Sequence, residues 1–177
     1  LLPDEICWDP DLEIEARYQA ASDLLHVGGD WYDTFRWPDG NIGLMIGYDL
    51  AFPEIARSLA LDGAELICVC ANWEAAQIDE WKTYVRARAY ENSLFMAASN
   101  RIGEDVTLNF GGESMIVGPR GQIHASLANE TDEKSGAPQE GFAVARIDLD
   151  EVRKNREEFQ FIQNRQPAVY KALVRKY

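Results

Sequence analysis

Positive charge is scarce in this chain: 17 Lys and Arg stand against 30 Asp and Glu in 177 residues, for a formal net charge of −13. Phosphate backbones and anionic lipid surfaces are bound by clustered cations, so neither nucleic acid nor membrane is expected as a partner. Also missing is any apolar run approaching the roughly 18 residues of a membrane span. The opening LLPDEICWDPDLE has neither a basic segment nor a long apolar one, so it does not read as a secretory signal, and a cytoplasmic location is expected. Cysteine is sparse as well. Cys7, Cys68 and Cys70 form an odd set without metal-finger spacing, which points to free thiols rather than a disulfide framework.

What is present suits one folded unit. A hydrophobic share of 46% and a charged share of 27% are ordinary for a globular protein, and a chain of this length can bury about 70% of its unfolded surface. The charge is uneven: residues 1–40 hold ten acidic and two basic side chains, net −8, and residues 41–177 hold twenty and fifteen, net −5.

The organising stretch is PDGNIGLMIGYDLAFPE, residues 38–54. A turn signal precedes the apolar run 42–46, which reads as a buried strand, and Phe52-Pro53-Glu54 opens a helix with Pro near its first position. Strand, sharp turn and helix together lift the residue at the apex to the end of a sheet, where a nucleophile and its oxyanion donors would be put. The apex is Gly47, which has no side chain; Tyr48 is a weak candidate and Asp49 is a turn or cap residue. A helix to Gly63 and a strand over 65–70 complete a β-α-β unit, whose parallel strands place a ligand at the carboxyl edge, near Gly47 and the run Ala71-Asn72-Trp73. Asn72 and Trp73 are candidate pocket residues, with plain core packing as the other reading of Trp73.

Downstream, apolar spacing predicts a helix over 77–92, a strand over 94–99, a polar turn over 103–109 and a hairpin about the turn 118–121. Arg86, Arg88 and Glu91 read as solvated or mutually paired charges. Residues 129–141 read as an acidic loop, 142–147 as a strand, 148–158 as a short helix and 159–177 as a basic, aromatic tail, apolar enough to dock on its own core or on a neighbouring molecule, the neighbour being favoured. Upstream, Leu12, Ile14 and Ala16 alternate with polar residues as a strand does, and Gly28-Gly29-Asp30 bends the chain beside two carboxylates, Asp30 and Asp33. That motif reads first as a turn; its chemical alternative is a hard-cation site for Mn²⁺ or Mg²⁺.

Two resemblances attach to these residues. The run EARYQAASDLLHVGGDWYDTFRWPDGNIGLMIG resembles the start of the metal-dependent serine/threonine phosphatases of the stage II sporulation E type, which would make Asp30 a metal ligand. Tyr48 intervenes where that family has its next aspartate. Residues 41–177 resemble the carbon–nitrogen hydrolase, or nitrilase, superfamily through GLMIGYDLAFPEIARSLALDGAELI, ANWE, RARAYENSLFMAASNRIG, FGGESMIVGPRGQI and AVARIDLDEVRKNREEFQFIQNRQPAVY. The second resemblance implies an α/β fold, an α-β-β-α sandwich, and cofactor-free hydrolysis of amides or nitriles by a Cys, Glu and Lys triad. It puts the nucleophile at Gly47, oxyanion stabilisation at the Tyr48 backbone amide, and the Glu and Lys upstream, where no counterpart is recognised. Cys68 and Cys70 lie on the next strand and do not replace the missing thiol. The joint expectation is a phosphatase-like segment 1–40 fused to a nitrilase-like half 41–177, with little triad chemistry, a small amide or nitrile as any ligand, and self-association. A metal phosphatase and an oligomerising scaffold are the alternatives.

Overall fold

The computed structural model describes residues 34–38, 40–127 and 140–174. The strand pattern at 12–18, Cys7 and the Asp30 motif lie outside the described residues. Strands β1 (Phe35–Trp37) and β2 (Gly40–Ile46) form an antiparallel pair, and a 3-10 turn over Gly47–Ala51 leads into helix α1 (Pro53–Leu61). Strand β3 (Leu66–Ala71), helix α2 (Ile78–Asn92) and strand β4 (Phe95–Asn100) follow. Next come β5 (Ile102–Asp105), β6 (Leu108–Gly111), β7 (Met115–Val117), β8 (Ile123–Ser126) and helix α3 (Asp150–Phe159).

Strands β2, β3 and β4 are parallel, as two consecutive β-α-β crossovers require, and antiparallel neighbours complete a six-stranded sheet in the order β1-β2-β3-β4-β7-β8. Alternation sorts the side chains between the two faces of this sheet. On one face Met45, Ile67, Val69, Met96, Ala98, Met115 and Val117 are buried against Ala56, Leu59 and Ala60 of α1 and Trp81, Val85 and Ala89 of α2. Trp81 is fully buried, and its indole N–H donates to the Glu113 carbonyl at 2.9 Å, so the large ring meets its polar requirement inside the core. The other face is organised in rows by register: Ile42, Leu66 and Phe95; then Leu44, Cys68, Ala97, Ile116 and Ala125; then Ile46, Cys70 and Ser99. Phe95 in the first row is fully buried beside His124, whereas Leu44 and Ile46 are 44% and 51% exposed.

Three readings change. The polar stretch 103–109 is a second, two-stranded sheet, β5 with β6, rather than a turn: Arg101 lies over the buried Phe110 ring at 4.5 Å and an isolated bridge joins Phe110 to Glu74, tying the hairpin to the body. Residues 142–147 alternate in exposure as a strand would, with Phe142 and Val144 outward at 87% and 78%, but no described strand pairs with them. The tail begins on its own chain, because Ile162 packs against the core and the Phe161 ring lies 5.8 Å from that of Tyr90. No helix among the described residues is long and apolar enough to cross a membrane.

Candidate functional site

The turn after β2 is built by the residues on either side of its apex. Ile46 is still extended, at φ −127°, and Gly47 then enters the left-handed region at φ +47°, which costs glycine nothing and other residues about 1 kcal/mol or more. The Asp49 carboxylate accepts the Ile46 backbone N–H at 3.0 Å and closes the turn, in the role its position in the sequence predicts. Pro53 occupies the first turn of α1, where its missing N–H breaks no helical bond.

A buried cation braces this turn from behind. Arg88, 6% exposed on α2, donates from Nε to the Leu50 carbonyl at 3.1 Å and from Nη2 to the Ala51 carbonyl at 3.0 Å. Its Nη1 pairs with Glu91 at 3.1 Å, so the guanidinium is both bonded and compensated. Of the two readings of Arg88, solvated or paired, the pairing with Glu91 is the one present, and burial adds to it a support for the apex, with the fully buried Leu50 held between.

Beside the apex, the carboxyl ends of the three parallel strands frame a cleft of about 580 Å3 lined by Ile46, Gly47, Cys70, Ala71, Asn72, Ser99, Asn100 and Arg101. This is the edge at which a parallel α/β sheet offers a ligand site. An ideal Cβ on Gly47 would meet no heavy atom within 4 Å, so the apex opens into free space. Asn72 and Gly47 thus come together. Trp73 takes its other reading: it is 8% exposed, its indole N–H donates to the Gln77 carbonyl at 3.1 Å, and its ring lies 5.9 Å from those of Trp81 and Tyr84. Tyr48 is 74% exposed and meets Phe52 edge to face, outside the cleft lining.

The cleft floor rests on Asn100. Its Oδ1 accepts the Trp73 backbone N–H at 2.6 Å, and its Nδ2 donates to the carbonyls of Gly112 at 2.8 Å and Trp73 at 3.3 Å, which locks the loops after β3 and β6 to the end of β4. Arg101 is the one charged residue of the lining among the described residues; it pairs with Asp105 at 3.3 Å. Ser99, Asn100 and Arg101 had no role in the sequence reading, although the strand containing them is plain in the apolar pattern. Cys70 is in register with Ile46 and so borders the cleft, while burial, aided by Cys70, pushes the thiol of Cys68 up from its ordinary value and disfavours its nucleophilic form. Among the described residues the lining thus offers amide and hydroxyl groups, one cation and a thiol beside the apex, and no Glu or Lys. Among the described residues no group of three or more His, Cys, Asp and Glu could hold a metal ion, and Asp30 lies outside them.

Comparison with known proteins gives this geometry its setting. The chain is 38% identical to a probable nitrilase of Schizosaccharomyces pombe over 82% of its own length and 51% of the relative's. It is 34% identical to a 2-oxoglutaramate amidase of Bacillus subtilis, over 79% and 51%. The crystal structure of a carbon-nitrogen hydrolase from Helicobacter pylori superposes with a TM-score of 0.73 at 25% identity, covering 83% of this chain and 53% of that one. The chain therefore spans about half the length of the relatives it matches. A model of the carbon-nitrogen hydrolase family matches residues 5–157, which takes in most of the opening segment that resembles the phosphatases; none of these three relatives is a phosphatase. By that match, and by its mixed sheet flanked by helices, the chain belongs to the carbon-nitrogen hydrolase family.

Proposed function

We propose that this chain carries a carbon–nitrogen hydrolase site that binds small amides or nitriles without turning them over through a covalent intermediate. One observation carries the reading: Gly47 stands at the open apex of the strand-turn-helix, where the resemblance puts the attacking thiol, and supplies no side chain there. The names of the relatives, a nitrilase and an amidase, support the ligand class. In this reading the Tyr48 backbone amide faces the ligand's carbonyl oxygen or nitrile nitrogen, and Asn72 and Ser99 supply hydrogen bonds at the cleft wall. No metal or organic cofactor takes part. Removing a covalent nucleophile leaves only the residual effect of binding and oxyanion groups, so chemistry through the triad route is absent.

Ammonia release from small aliphatic amides and nitriles measures this. Release is expected to match the buffer blank, while amide titration shifts the NMR signals of Asn72 and Ser99. An acyl adduct on a thiol of the chain, seen by intact mass, together with turnover abolished by alkylation, would overturn the proposal.

A further inference from the structure

Helix α2 turns Trp81, Val85 and Ala89 into the core and leaves Lys82, Arg86 and Tyr90, each one helical turn from the next, on its outward side. The turn between β7 and β8 rides directly on this row: an ideal Cβ on Gly121 would stand 3.7 Å from the Arg86 carbonyl oxygen and 3.8 Å from the Tyr90 Cβ. Between helix and turn lies a cleft of about 580 Å3, lined by that row together with Arg120 and Gly121. It shares no residue with the cleft beside Gly47. In a chain with 17 basic against 30 acidic side chains, three cations on one cleft are a local reversal of charge.

Both guanidinium groups are held from behind. Arg86 donates from Nε to the Gly121 carbonyl at 3.1 Å, and its two Nη groups have no protein partner among the described residues. Arg120 donates from Nε to Oδ1 of the buried Asn155 at 3.1 Å, lies over the Phe159 ring at 4.7 Å and pairs through one Nη with Glu158. An arginine fixed at Nε presents its remaining N–H groups as a preset fork, so less freedom is lost when an anion binds. Hydrogen bonds to Asp79 and Glu113 push the Lys82 ammonium up from its ordinary value, which keeps it charged at neutral pH. Asp79, which also lines the cleft, and Glu158 are exposed carboxylates; ion pairs of that kind contribute about 1 kcal/mol or less, so they compete weakly with an incoming anion.

We propose that this cleft binds the phosphate group of a small molecule. A carboxylate is satisfied by one guanidinium fork, whereas two forks and an ammonium match the several terminal oxygens and the double charge of a phosphate. One such cluster suits a single phosphate and not the succession carried by a nucleic acid. The Tyr90 ring, half exposed and 5.8 Å from that of Phe161, forms an apolar end against which the rest of an organic phosphate can lie.

NMR titration of the intact chain with inorganic phosphate, at ionic strength held constant with sodium chloride, tests this. Saturable shifts are expected at Lys82, Arg86, Tyr90 and Gly121, half complete at about 1 mM or below. Arg86→Gln is expected to weaken binding by about tenfold or more, whereas Arg146→Gln, which removes the same charge at an exposed position outside the cleft, leaves it unchanged. Circular dichroism checks that the variants are folded, and Lys82→Gln repeats the test should Arg86→Gln fail to fold. Phenyl phosphate is the second probe: tighter binding than inorganic phosphate, with larger shifts at Tyr90, identifies an organic phosphate as the ligand, and equal affinity identifies the free ion. Shifts that grow without saturating, that weaken equally in Arg146→Gln, or that centre on Asn72 and Ser99 instead, overturn the proposal.

Discussion

At the scale of single residues, position 47 combines an open site with a demanding backbone. Gly47→Cys adds a thiol where nothing stands within 4 Å of the new Cβ, at a cost of about 1 kcal/mol for holding a non-glycine residue at φ +47°. The variant is expected to be alkylated readily and yet to release ammonia from amides at the blank rate, because the described residues of the cleft lining include neither Glu nor Lys to activate the thiol and hold its intermediate. Intact-mass analysis after iodoacetamide and the ammonia assay check the two halves separately. Gly47 and Asn72 could be brought together from the sequence alone, since a β-α-β unit forces both strand ends to one edge. Cys70 beside Ile46, and Arg101 on the rim, could not. Register between strands is set by packing on the buried face, and no local pattern reports it.

Among the elements, α2 does more than fill the core. Its Arg88 reaches back 37 and 38 residues to hold the carbonyls that follow the apex. Arg88→Ala is expected to lower stability by about 2–3 kcal/mol, because it deletes hydrogen bonds from a charged donor and leaves the Leu50 carbonyl buried without one. Urea unfolding measures the loss, and broadened NMR signals across residues 47–51 would show that the turn is what loosens. Helical spacing placed Arg88 on α2 and allowed its pairing with Glu91, but could not identify carbonyls from another element as further partners, so its burial was not legible. The opposite error befell residues 142–147. Their period of two is visible in the structure as alternating exposure, yet alternation describes where side chains point and says nothing of whether a neighbouring strand exists.

For the whole molecule, the tail and the strand order matter most. Cutting the chain after Glu158 removes Phe159, whose ring stacks on Phe161 and lies under the Arg120 guanidinium, together with Ile162, which packs on the core. That loss is expected to cost about 2–4 kcal/mol, read from the midpoint of urea unfolding, while sedimentation still shows the association state of the intact chain. The high apolar content of this tail suits docking on its own core or on a neighbouring molecule, with the neighbour favoured from sequence; its first residues find their partners within the chain. The order β1-β2-β3-β4-β7-β8 also bears on how the molecule is made. Each strand of the main sheet is laid on an edge left by the one before it, with β5 and β6 set aside in their own hairpin, and none is inserted between two that are already paired. A nascent chain leaving the ribosome can therefore grow this sheet in the direction of synthesis, each strand meeting a finished template rather than waiting for a later one to emerge.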